Sequence, residues 1–373
     1  MDLDLTDDQR LFQATTRKFL GARAPMSVVR ERIGRGVDGD LLTGGAELGW
    51  TSMLVPEDLG GGTLSGEGVR DLGIVAEELG GALLSGPVLP TNVVAYALAR
   101  AGSEHLAKEL LPRLAAGQVT ATWAISEPAE RWCAEDGGVS ARRTDTGFRL
   151  DGVKTPVQDA DAVDHLLVTV RTAGAGTTQL LVDAHAPGVT VTRLEGLDLT
   201  RRYSRVRFDG VEVPSSHVVG EPGAADAQVD LQFALALALQ CAETVGASDR
   251  LYGMTLRYVK DRKAFGRPIG SYQALKHRLA EMLLWLESAK AATSAALAAV
   301  QSEQGAPEAA SLAKAYVADR CPAVVRDCLQ MHGGIGFTWE HDLHLFLRRV
   351  ETNAVIFGGV DYHLDRLAAA VGF

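Results

Sequence analysis

A chain of 373 residues has room for two or three domains and a large buried core. Its make-up, 46% hydrophobic, 23% charged and 6% aromatic, is that of a globular protein. A formal net charge of −10 argues against nucleic acid and anionic membrane surfaces as partners, although a few local arginines still permit a phosphorylated ligand.

The first ten residues are acidic and carry no apolar h-region, so they do not read as a signal or transit peptide. No uncharged apolar run is long enough to span a membrane; 233–242 comes nearest before Glu243 interrupts it. A cytoplasmic location is expected. Cys133, Cys241, Cys321 and Cys328 are scattered, and the last two share one predicted helix in which a disulfide is geometrically implausible. All four are read as reduced core thiols.

Residues 1–120 read as helices with short breaks. Thr6 and Gln9 form a capping box ahead of Leu11, Phe12, Phe19 and Leu20. Pro56 and Gly60-Gly61-Gly62 mark a loop, and helices are predicted over 69–79 and 92–101. The texture changes near Thr120. Period-two runs at 166–170, 179–182, 189–194 and 205–213, with a turn at Thr146-Gly147, predict an all-β segment over 121–226. From 227 to 373 the pattern is helical again. The stretch 231–259 is apolar nearly all round, as expected of a helix buried in a bundle. Further helices are predicted over 271–301 and 308–331, the latter after Pro307, with a kink at Pro322 and a stop at Gly333-Gly334.

Four segments stand out in order. They are Leu48-Gly49-Trp50 with Val55-Pro56-Glu57 and Ala76-Glu77-Glu78-Leu79-Gly80; Trp123-Ala124-Ile125-Ser126-Glu127-Pro128; Arg262-Lys263-Ala264-Phe265-Gly266-Arg267-Pro268-Ile269 with Gln273; and Gln330-Met331-His332-Gly333-Gly334-Ile335-Gly336-Phe337. Together they resemble the acyl-CoA dehydrogenase family over essentially the whole chain. The resemblance implies an α+β fold: an N-terminal helical domain, a middle β-barrel or sandwich and a C-terminal four-helix bundle. It also implies FAD, an acyl thioester on CoA or a carrier protein, and an electron-transferring flavoprotein or similar acceptor.

The same resemblance places Trp123, Ile125 and Ser126 along the flavin edge, and Gln158 where many members carry a hydroxyl near N5. It places Arg262, Phe265 and Gln273 on the cofactor of a neighbouring subunit, joined at the adenosine end by Gln330, Gly333 and Gly334. A site shared between chains implies an oligomer, a homotetramer or an α2β2 heterotetramer. His277 and His332 are read as packed or solvated. His341-Asp342-Leu343-His344 lacks further ligands, so no metal is expected.

Desaturation next to a thioester requires a carboxylate to remove the α-proton and donors to the thioester oxygen. Most members carry the glutamate in a Tyr-Glu-Gly segment; here the matching stretch is Ile356-Phe357-Gly358-Gly359, and only the Phe357 backbone N–H is left to polarise the carbonyl. The alternative family position, near the start of the long bundle helix, falls on Ala236. Glu243, two turns on, lies on roughly the same face but about 10 Å along the axis. It is the candidate base, against a structural reading in which it meets an arginine such as Arg250 or Arg262. The loop after Pro128, with Glu130-Arg131-Trp132-Cys133, also departs from the family pattern. The lead reading is an FAD-dependent acyl thioester dehydrogenase, including the case of one subunit in a heteromeric enzyme. Same-fold flavin chemistry of another kind and a catalytically silent subunit remain the alternatives.

Overall fold

The computed structural model describes residues 5–36, 39–128, 138–172 and 176–372. Residues 129–133, with the divergent loop and Cys133, lie outside the described residues.

Six helices open the described chain: α1 (Asp7–Arg23), α2 (Met26–Glu31), α3 (Gly39–Glu47), α4 (Gly68–Gly81), α5 (Val88–Ala101) and α6 (Glu104–Ala115). The Thr6–Gln9 capping box is present: the Thr6 hydroxyl accepts the Gln9 N–H, and Gln9 reciprocates on the Thr6 N–H.

The strands that follow are β1 (Ala121–Ala124), β2 (Ser140–Arg143), β3 (Gly147–Gln158), β4 (His165–Thr172), β5 (Gly176–Asp183), β6 (Val189–Leu194), β7 (Tyr203–Pro214) and β8 (Val218–Gly223). They form two four-stranded sheets, ordered β1-β4-β5-β8 and β2-β3-β7-β6. Only the β1–β4 pairing is parallel in these two sheets. The middle region is therefore a sandwich. Leu166, Val168 and Val170 of β4 meet Leu150, Val206 and Phe208 of the other sheet. The intervening Leu167, with Trp123 of β1 and Leu181 of β5, belongs to the core shared with the helices. Side chains alternate across a strand, so β4 is buried on both faces and joins the sandwich to the helical layers.

The chain then returns to helix with α7 (Asp226–Asp261), a short hairpin β9 (Lys263–Ala264) and β10 (Arg267–Pro268), and α8 (Gln273–Ser302), α9 (Ala306–His332), α10 (Leu343–Val355) and α11 (Val360–Ala370). α7 packs against α4, α5, α8, α9 and α10, which explains its apolar circumference. Its crossing with α4 depends on two glycines. A Cβ on Gly80 would lie 1.9 Å from the Glu243 carbonyl oxygen, and one on Gly246 would lie 1.9 Å from that of Glu77. α9 runs through Pro322 without a break and ends at Gly333, whose φ is +61°. Cys241, Cys321 and Cys328 are buried free thiols. No helix among the described residues is long and apolar enough to cross a membrane.

Candidate active site

Six structural segments meet around a cavity of about 60 Å³. α5 supplies Leu89, Pro90 and Val93; β1 supplies Thr122 and Trp123; β3 supplies Pro156 and Gln158. Arg201 comes from the β6–β7 connection, Tyr203 from the start of β7, and Ile356 and Phe357 from the turn between α10 and α11. The remaining wall is one stripe of α7: Ala236, Leu239, Gln240 and Glu243. These residues are spaced i, i+3, i+4, i+7, so helical periodicity alone aligns them.

The structure thus brings Trp123, Gln158, Glu243 and Phe357 to one place. Trp123 is fixed by its indole N–H, which donates to Thr169 Oγ1 at 2.8 Å. Gln158 donates through Nε2 to Asp159 Oδ2 at 3.1 Å, and burial raises the Asp159 carboxyl above its ordinary range. The Phe357 ring sits edge-on to Phe233, with centroids 5.8 Å apart. Its backbone adopts φ +64°, its carbonyl accepts from His363 Nε2 at 3.0 Å, and its N–H meets no acceptor among the described residues. Burial, reinforced by the nearby Lys314, pushes the His363 imidazole down to about 3, so the ring is neutral.

Ile125 and Ser126 lie just beyond the cavity wall and are buried. Their backbone is pinned from β3: Lys154 Nζ donates to the Ile125 carbonyl at 2.9 Å and to Glu127 Oε1 at 2.6 Å, and Thr155 N–H donates to the Ser126 carbonyl at 2.9 Å. A fully buried Lys154–Glu127 pair therefore locks the two neighbouring motifs together.

Glu243 is not bound to Arg250 or Arg262. Those arginines lie on its own helix, about 10 Å and 28 Å further along the axis, beyond side-chain reach. Its partners come from other elements. Oε1 accepts from Arg201 and, at 3.0 Å, from Arg349 of α10; Oε2 accepts from Asn353 Nδ2 at 3.0 Å. Arg349 also pairs with Asp198 and donates to Ser85 Oγ at 2.6 Å and Thr200 Oγ1 at 2.7 Å. Burial by itself would raise the Asp198 carboxyl, but Arg349 and Arg201 outweigh it and hold the group below the usual carboxylate range. The result is a buried, charge-balanced chain of Asp198, Arg349, Glu243 and Arg201. Glu243 thus accepts three hydrogen bonds, two from guanidinium groups and one from an amide. The sequence signalled that a buried acid needed a cation, but not which one, because Arg201 and Arg349 are 42 and 106 residues away.

Arg262, Phe265, Gln273, Gln330, Gly333 and Gly334 lie away from the cavity, around the far end of α7 and the adjoining ends of α8 and α9. These ends are held together by Tyr258, whose ring stacks on His332 with centroids 4.3 Å apart. Phe265, at the hairpin tip, is 96% exposed with φ +53°, and Phe337 and Trp339 nearby are exposed too.

Two family models match the chain: "Acyl-CoA dehydrogenase, N-terminal domain" over residues 6–118 and "Acyl-CoA dehydrogenase, C-terminal domain" over residues 227–372. The acyl-CoA dehydrogenase IpdE2 of Mycolicibacterium smegmatis is 30% identical over 325 residues, covering 87% of this chain and 85% of the relative. Benzylmalonyl-CoA dehydrogenase of Aromatoleum aromaticum is 27% identical over 378 residues, 99% of each chain. Among solved structures, the ChsE4-ChsE5 complex of Mycobacterium tuberculosis superposes with a TM-score of 0.90 at 27% identity, over 100% of this chain and 99% of that one. Fold, motif order and these similarities agree: the chain belongs to the acyl-CoA dehydrogenase family.

Proposed function

We propose that this chain is one component of an FAD-dependent acyl thioester dehydrogenase whose α-proton is removed by a carboxylate on a second, glutamate-bearing subunit. The observation that carries this reading is the cavity itself. Both family positions for the base open into it as Phe357 and Ala236, and its one acid, Glu243, is engaged by two arginines and an asparagine. Glu243 is accordingly assigned to holding α7, α10 and the β6–β7 connection together rather than to proton transfer.

The residues present suit a flavin. Trp123, Pro156 and Phe357 offer flat apolar surfaces. Gln158 and Tyr203 offer polar groups at the edge, and the Tyr203 hydroxyl is buried without a partner among the described residues. FAD, when bound, supplies the hydride acceptor for the β-carbon. The chain's own groups then have positioning roles: Trp123 and Gln158 beside the ring system, and the free Phe357 N–H toward the thioester oxygen. Arg262, Phe265, Gln273, Gln330, Gly333 and Gly334 serve the pyrophosphate and adenosine end on a neighbouring subunit. Their separation from the cavity along α7, about 28 Å at Arg262, supports a shared site. The exposed Phe265 and the two-component name of the ChsE4-ChsE5 relative support an α2β2 assembly. An electron-transferring flavoprotein is the expected acceptor.

The test is co-expression with a glutamate-bearing homologue, followed by measurement of particle mass and flavin content. A stable two-component complex with bound FAD supports the reading. A homotetramer that ignores the homologue and turns over acyl-CoA by itself refutes it.

A further inference from the structure

Gln240 lies on the α7 stripe of the cavity, between Leu239 and the Glu243 cluster, and is only 7% exposed. Its amide has one acceptor atom, and Lys314 of α9 takes it: Nζ donates to Gln240 Oε1 at 2.6 Å. An ammonium group cannot accept a hydrogen bond, so this contact fixes which way the amide is turned. The amide Nε2 then has no partner among the described residues, on a cavity wall that combines apolar Leu89, Val93, Leu239 and Ile356 with polar Arg201, Tyr203 and Glu243.

Lys314 is itself unusual. It is 2% exposed and bound to Gln240 and the Asn353 carbonyl, with no carboxylate partner among the described residues, and burial pushes it down to about 8. A long charged side chain is rarely buried without pairing. Here it serves to hold one amide in one orientation. Beside it, the buried Arg201 Nε also lacks a partner among the described residues. The polar end of the cavity therefore carries two donor atoms, Gln240 Nε2 and Arg201 Nε, that no group among the described residues accepts from. The volume is modest as well. A site needs roughly 10–15 Å³ to hold one water, so this one takes about four such particles.

Resting on the reading that this cavity receives the acyl part of a thioester, we propose that its wall at Gln240 recognises an acceptor oxygen, a carbonyl or carboxylate carried on a short acyl chain, with Gln240 as the donor and Lys314 as the positioning residue that aims it. Leaving a buried donor unpaired disfavours the analogue lacking that oxygen by about 10- to 100-fold.

The experiment is equilibrium binding by calorimetry, using the flavin-loaded full-length protein and three thioesters: pentanoyl-CoA, 4-oxopentanoyl-CoA and glutaryl-CoA. The proposal expects one or both oxygenated ligands to bind about 10- to 100-fold more tightly than pentanoyl-CoA. Preference for the oxo ligand identifies a carbonyl as the recognised group, and preference for glutaryl-CoA a carboxylate. Gln240→Leu should bring the ratio to near one, and Lys314→Met should do the same although Gln240 is retained. Gln240→Glu, which pairs with Lys314 and so guards against loss of folding, should weaken glutaryl-CoA most. Equal or tighter binding of pentanoyl-CoA by the unaltered protein overturns the proposal while leaving the thioester reading intact. Failure of all three thioesters to bind defeats the thioester reading, and the proposal with it.

Discussion

Replacing Glu243 by glutamine separates a structural anchor from a catalytic base, because it keeps the shape and removes the charge. In the native fold Asp198 and Glu243 balance Arg349 and Arg201, all four essentially excluded from solvent. Glu243→Gln leaves one buried guanidinium charge without its partner, a loss of the kind that costs about 3–5 kcal/mol. Unfolding entropy near 2.1 cal/mol/K per residue gives roughly 0.8 kcal/mol/K for a chain of this length, so the melting temperature should fall by about 5 °C. Thermal unfolding by circular dichroism measures that shift, and anaerobic flavin reduction by an acyl-CoA in the assembled enzyme measures the chemistry. The account expects the thermal shift with reduction rates within a few-fold of the parent. An unchanged melting temperature together with a loss of several orders of magnitude in flavin reduction would refute it and restore Glu243 as the base.

Four other outcomes are expected. Gly246→Ala should force α4 and α7 apart, since its Cβ would sit 1.9 Å from the Glu77 carbonyl oxygen, and urea unfolding should show a loss of at least about 3 kcal/mol. Gly253→Ala on the same helix meets nothing closer than 3.8 Å and should instead gain up to about 1 kcal/mol. Burial, with the adjacent Glu78 charge adding to it, raises the Glu77 carboxyl to about 7. The folded state therefore holds this proton more tightly than the unfolded state, and stability falls as pH rises from about 4.5 to 7. Glu77→Gln should remove that slope and gain on the order of 2 kcal/mol at pH 8 but little at pH 4.5, read from urea midpoints across pH. Arg262→Ala should purify with its helical circular dichroism intact and its flavin depleted; full flavination would contradict the shared cofactor site.

Much of the architecture was legible because it rests on local physics. The Thr6–Gln9 box, the all-round apolar α7 and the alternating Val189–Leu194 strand each announce themselves within a few residues. Short elements did not. β1 and β2 have four residues each, too few for a period to show, and α6 begins among charged residues and contains Pro112. α7 runs from Asp226 to Asp261, so the all-round apolar stretch 231–259 fills all but its terminal turns.

At the site, Trp123, Gln158 and Phe357 were named from the family resemblance, and Ala236 and Glu243 were put on one face of the helix by their spacing. Arg201, Arg349, Asn353 and Lys314 were not, because each acts through a partner dozens of residues away. A buried charge tells the reader that a counter-group exists; only the tertiary fold tells where it comes from.

Anaerobic mixing of an acyl-CoA with the FAD-reconstituted chain alone, and again after addition of a glutamate-bearing homologous subunit, tests which chain carries the base. The chain alone should stay yellow, and the two-component assembly should bleach at an enzymatic rate, about 1 s⁻¹ or faster. Bleaching of the isolated chain at that rate would contradict the claim, since neither Phe357 nor Ala236 can accept a proton and Glu243 would then have to.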